Sequence, residues 1–211
     1  MKFRDRVDAG NRLAERLAQK GFGNAIVLGI PRGGVILADI VAKKLGADFD
    51  IVIPRKLGAP DNEELAIGAV MEDGTSFINR YLVNALRISQ DYLDNEKAKQ
   101  MGEIRRRSAA YRKPGPYNIA HKSAILIDDG IATGATVIAS ARWARKQNPS
   151  GLTVAVPVAP PQSVEVLEHE VDSVVVLHTS RDFGSVGQFY EEFGPVTDEQ
   201  VMQVMRSRGL L

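Results

Sequence analysis

Ala124-Ile125-Leu126-Ile127-Asp128-Asp129-Gly130-Ile131-Ala132-Thr133-Gly134-Ala135-Thr136 is the stretch on which the fold turns. An apolar run this short, bounded by charge and glycine, predicts a strand buried on both faces. It delivers Asp128 and Asp129 to its C-terminal end, where open α/β sheets bind ligands. The turn that follows is built of small residues and hydroxyls. It opens a helix from about Ala135 to Gln147, whose first free N–H groups and positive dipole end form a phosphate cradle. Thr133 and Thr136 add hydroxyl donors. No lysine or arginine lies between Ile125 and Thr136, so amides, hydroxyls and the helix dipole must hold the anion. Carboxylates beside such a cradle repel a bare phosphate, but they suit a sugar phosphate whose hydroxyls donate to the acids.

Upstream, Val7, Leu13 and Leu17 recur at helical spacing before Gly21 and Gly23, and Ala25 to Ile30 reads as a buried strand. After the Pro31-Arg32-Gly33-Gly34 turn a helix runs through Leu37, Ile40, Val41 and Leu45 to Gly46, and Asp50 to Ile53 is the next strand. Pro54 to Glu64, rich in Gly, Pro, Asp and Asn, reads as a long loop of the kind that serves as a lid. Short strands at Ile67–Met71 and Ser76–Ile78 flank the Asp73-Gly74 turn. Residues 81–113 read as a helical insertion of one long or two shorter helices, stopped at Lys113-Pro114-Gly115-Pro116.

Downstream, Leu152 to Val158 and Ser173 to Leu177 read as strands, with a helix from Gln162 to Glu170 between them. Apolar strands alternating with helices predict an α/β fold, a mostly parallel twisted sheet with helices on both faces. At 211 residues one domain, 1–211, is expected. The tail, 181–211, is mixed aromatic and acidic, with no clear periodicity.

Several function classes drop out. Hydrophobic residues at 44% and charged residues at 25% are ordinary for a globular protein. No apolar run approaches the roughly 20 residues of a membrane span. Met1 to Arg6 lacks the apolar core of a signal peptide, so a cytoplasmic protein is expected. Without cysteine there is no disulfide, thiolate site or cysteine nucleophile, and a net charge of +1 gives no general pull toward nucleic acid. A glycine loop followed by Lys-Ser or Lys-Thr is missing, and Asp182-Phe183-Gly184 lacks the other kinase signatures. His121, His169 and His178 lack metal-ligand spacing, Arg105-Arg106-Arg107 reads as a solvated face, and Trp143 as packing.

Ile127 to Thr136 resembles the signature with which type I phosphoribosyltransferases bind 5-phosphoribosyl 1-pyrophosphate (PRPP). The resemblance implies that Asp128 and Asp129 sit beneath the ribose hydroxyls, and that Gly130 and Ala132, Thr133, Gly134, Ala135 and Thr136 surround the 5-phosphate. It implies a pyrophosphate loop at Pro31, Arg32, Gly33 and Gly34, with a cis peptide between Pro31 and Arg32. Arg55 and Lys56 resemble a basic pair that meets pyrophosphate oxygens, although a solvated basic pair accounts for them as well. The loop holding Asn62 and Glu64 matches the position of a mobile flap. Phe183, Phe189, Tyr190 and Phe193 fall where the family builds a hood over the acceptor, and burial of the tail accounts for them equally.

Phe3-Arg4-Asp5-Arg6, Lys56-Leu57-Gly58-Ala59-Pro60 and Val186-Gly187-Gln188-Phe189-Tyr190 extend the likeness to a prokaryotic group of phosphoribosyltransferases of unassigned acceptor. The resemblance implies transfer of phosphoribose from PRPP to a small-molecule nitrogen acceptor, a homodimer, and Mg2+ carried by PRPP and water rather than by protein ligands. Arg32, Lys56, Asp128 and Asp129 would carry the chemistry. A PRPP-binding regulator without transferase activity is the alternative.

Overall fold

The computed structural model describes residues 1–211. The elements are α1 (Arg6–Ala18), β1 (Ala25–Gly29), α2 (Gly33–Leu45), β2 (Asp48–Ile51), β3 (Arg55–Ala59), β4 (Asn62–Val70), β5 (Ser76–Ile78), α3 (Arg80–Ala85), α4 (Gln90–Tyr111), β6 (Ser123–Ile127), α5 (Ala135–Arg145), β7 (Gly151–Ala159), α6 (Pro161–Glu168), β8 (Ser173–Thr179) and α7 (Asp198–Ser207). A five-stranded parallel sheet in the order β2-β1-β6-β7-β8 carries helices on both faces, as the alternating pattern predicts. Adjacent residues of a strand point to opposite faces. Val27, Ile125, Ile127 and Val175 therefore share one core with α1, α2, α4 and α7. Ile26, Leu28, Leu126 and Val154 share the other with α5 and α6. No helix is long and apolar enough to cross a membrane.

The β1 chain continues through α2 to β2 on one side, whereas β6 continues through α5 to β7 on the other. Between β1 and β6 the winding reverses. In a doubly wound sheet the loops diverge at that point and leave a crevice at the strand ends.

The segment Pro54 to Glu64 is not a long loop. Its residues form most of an antiparallel hairpin, β3 and β4, turning at Pro60-Asp61, and β5 completes a second, three-stranded sheet. Gly58 permits the two strands to pass at close range, since a Cβ there would lie 2.8 Å from the Glu63 Cα, and the register shifts on both sides of it. Composition signalled irregularity. The irregularity is a bulge.

The strand expected at Asp50–Ile53 begins two residues earlier, at Asp48. It is an edge strand, and Arg112 holds its buried Asp50 with an N–H···O contact of 2.9 Å, so a carboxylate is accommodated in the middle of the run. The tail holds a helix that its sequence did not announce. Thr197 caps α7 and exchanges hydrogen bonds with Gln200, and Val201 and Met205 are buried.

Candidate functional site

Asp128 and Asp129 follow β6 at the switch point, opposite the loop that follows β1. The Asp129 N–H donates to Asp128 Oδ1 at 2.8 Å, and burial together with the adjacent Asp129 pushes the Asp128 carboxyl well above the usual carboxylate range. The two glycines of the β1 loop lie directly against this pair. A Cβ on Gly33 would stand 1.8 Å from Asp129 Oδ2, and one on Gly34 would stand 2.8 Å from the Asp128 Cα. Both positions require glycine for close approach. The Pro31–Arg32 peptide is cis.

The turn after the acids is held from three directions. The Ile131 N–H donates to the Val158 carbonyl at 2.9 Å. The Ser163 hydroxyl donates to the Ala132 carbonyl at 2.6 Å. Gly134, at φ +78°, caps α5 in the left-handed region that favours glycine. Ala135 and Thr136 then open the helix, leaving its first N–H groups without intrahelical partners. Gly130 is confined as well, because a Cβ there would meet Val186 at 2.5 Å.

Beside this turn lies a polar cleft of about 340 Å³ that brings Pro31, Arg55, Lys56 and Thr136 together with Glu64. Arg55 donates from Nε to Gln100 at 2.9 Å, and Gln100 in turn donates to Glu96 at 2.8 Å. Burial and the nearby Arg107 guanidinium lower the Arg55 pKa. Arg32 does not join this group. Its Nη1 lies 3.3 Å from Asp198 Oδ1 on α7, and Tyr111 donates to the same oxygen at 2.6 Å.

Phe183 packs on Phe189 with ring centres 5.0 Å apart, and Phe189 and Tyr190 are buried. The Phe3 N–H donates to the Phe189 carbonyl, and Tyr190 donates from its hydroxyl to the Asp129 carbonyl at 2.6 Å. Tail burial thus accounts for Phe189 and Tyr190, while Phe183 is only half-buried. Trp143 is packing, buried against Tyr117.

Two contributions escaped sequence reasoning. Arg6 of α1 places Nε 2.8 Å from Asp129 Oδ2, with the two side chains 12% and 15% exposed. Nothing local signals a partner so distant in the chain. Arg107, taken with Arg105 and Arg106 as a solvated face, instead lines the cleft with Glu96 and Gln100. Here a signal existed: Glu96, Gln100, Glu103 and Arg107 recur at spacings of four, three and four, a polar stripe along one face of a helix.

A family model described as the phosphoribosyl transferase domain matches residues 3–192. A Mycobacterium tuberculosis protein named "Putative phosphoribosyl transferase" is 40% identical over 201 residues, which make up 95% of this chain and 45% of that protein. The chain thus spans a little under half the length of the curated relatives it matches. The crystal structure of the protein TT1426 from Thermus thermophilus is 42% identical, with a TM-score of 0.82 over 98% of this chain and 99% of that one. A purine phosphoribosyltransferase from Pyrococcus horikoshii, 16% identical over 91% of this chain and 93% of that one, shares the fold at a TM-score of 0.50.

Proposed function

Since this chain belongs to the phosphoribosyl transferase family, we propose that it transfers the 5-phosphoribosyl group of PRPP to a nitrogen acceptor, with release of pyrophosphate. The observation that carries this reading is the adjacency of three things at one switch point: the acid pair, the glycine-capped start of α5, and the basic residues of β3.

In the proposed reaction a C–N bond forms at the anomeric carbon as the bond to the pyrophosphate oxygen breaks, and positive charge develops on the sugar. Asp128 and Asp129 accept from the ribose hydroxyls and favour that charge. The amides from Ala132 to Thr136 hold the 5-phosphate. Arg55 and Lys56 face the departing pyrophosphate, whose charge they offset. Arg32 reaches it by leaving Asp198, an exposed contact that costs little to break. Closure of the β3–β4 hairpin would keep water from the sugar.

No three His, Cys, Asp or Glu side chains converge as a ligand set. The donors present fit a magnesium ion that takes substrate oxygens and water as its inner ligands, with Asp128 and Asp129 beside it. Its contribution would be to neutralise the leaving pyrophosphate.

Calorimetric titration of the protein with magnesium and PRPP tests the reading, and binding in the micromolar range is expected. No heat at millimolar PRPP would sink it. Pyrophosphate release that depends on an added nitrogen heterocycle then separates a transferase from a PRPP-binding regulator.

A further inference from the structure

We propose, building on the transfer reading above, that Arg6 is a positioning residue for the acid pair: it fixes the Asp129 carboxylate in one orientation as an acceptor for the sugar hydroxyls. The Arg6 guanidinium is held at two of its nitrogens and on one face. Nε donates to Asp129 Oδ2 at 2.8 Å, Nη1 donates to the Gly194 carbonyl at 2.7 Å, and the plane lies over the Phe193 ring with its centre 4.0 Å away. A guanidinium held by acceptors at two of its nitrogens and by an aromatic ring beneath it has one orientation to offer. The absence of a side chain at Gly33 admits the carboxylate to this position, and Tyr190 anchors the Asp129 carbonyl from the other side.

The charges around Asp129 come from several elements. α1 supplies Arg6, the same strand end supplies Asp128, and β3 supplies Lys56, which acts on Asp128. The tail supplies Tyr190, a phenol that burial keeps neutral. Arg6 alone makes an ion pair with Asp129. Without it, the Asp129 side chain would lose the one partner that fixes its direction. An arginine stays charged at every working pH and its fork is rigid, so the pairing holds the carboxylate in place.

The test is calorimetry of Mg·PRPP binding at one fixed pH for the wild type, R6K, R6Q and D129N, with thermal unfolding of each alongside. In R6Q the affinity is expected to fall about tenfold or more, and R6K, which keeps the charge without the fork, should lie between R6Q and the wild type. The double variant R6Q/D129N should bind no more weakly than D129N, because Arg6 acts through that carboxylate. R6Q that binds within about twofold of wild type overturns the inference, as does a loss that is additive with that of D129N. If R6Q does not fold, R6K carries the same comparison, and either wild-type affinity in R6K or a loss additive with D129N would overturn it. A wild type that does not bind Mg·PRPP at all fails the proposed function itself, a separate outcome.

Discussion

Asp128 carries the sharpest consequence at the scale of single residues. Its folded carboxyl binds a proton more tightly than an unfolded one, so the folded state holds more protons over the interval above the ordinary carboxylate pKa. The sign follows: stability that is present at low pH is lost as pH rises from about 4 upward. Asp128→Asn keeps the oxygen that accepts from the Asp129 N–H and removes the charge. The variant should match wild type near pH 4 and exceed it at pH 8, by roughly 2 to 4 °C for each kcal/mol gained, as read by thermal unfolding. On the proposed reading, Mg·PRPP affinity should fall more than about tenfold in the same variant, since a carboxylate acceptor for the ribose would be lost. Gly33→Ala is the steric counterpart. Its methyl group would have to displace the Asp129 carboxylate from Arg6, at a cost of about 1 to 3 kcal/mol by denaturant titration and with loss of PRPP binding. Sequence made the acid pair legible because a buried strand, two acids and a small-residue turn are local features. Arg6 was illegible because its role depends on a contact 123 residues away.

At the scale of elements, the strands and helices around the β1 and β6 turns were readable from periodicity and glycine stops, and α2 ends at Gly46 in the left-handed conformation that such a stop provides. The β3–β4 hairpin was not. Gly58, Pro60 and Asp61 carry the composition of a loop, and only the register of the pairing reveals that Gly58 is a bulge where the paired strands approach closely. The same geometry says how the hairpin is tethered: Tyr92 of α4 donates to the Gly58 carbonyl at 3.0 Å, while Glu63 meets Lys99 through an exposed ion pair. Tethers of that kind open at small cost. Saturating Mg·PRPP should therefore protect the peptide bonds between Lys56 and Glu64 from limited proteolysis severalfold. Equal cleavage with and without ligand would count against closure of this hairpin.

Across the whole molecule, the acid pair sits where distant parts of the chain converge: α1 through Arg6, the β1 loop through Gly33, and the tail through Tyr190. Phe3 is 0% exposed, pairs with Tyr190 in an isolated parallel bridge and lies against its ring at 5.5 Å. Phe3→Ala should cost about 3 to 5 kcal/mol, measured as a shift in the urea midpoint. The ligand affinity should drop with it, because the same cluster seats Arg6 over Phe193. The α/β architecture was legible as a whole, since strand and helix alternation is a global pattern. The tail was not, because its aromatics declare burial without declaring against what.

The convergence of segments distant in sequence also sets a schedule. A ribosome releases α1 and the β1 loop first, then Asp129, and Tyr190 only after a further 61 residues. At ordinary elongation speeds of about 5 to 20 residues per second, that interval is roughly 3 to 12 s. Throughout it Arg6 lacks the Gly194 carbonyl, and Asp129 lacks the hydroxyl that anchors its backbone. Until residues 190 to 194 have left the ribosome, a nascent chain therefore lacks two of the contacts that set the acid pair in place.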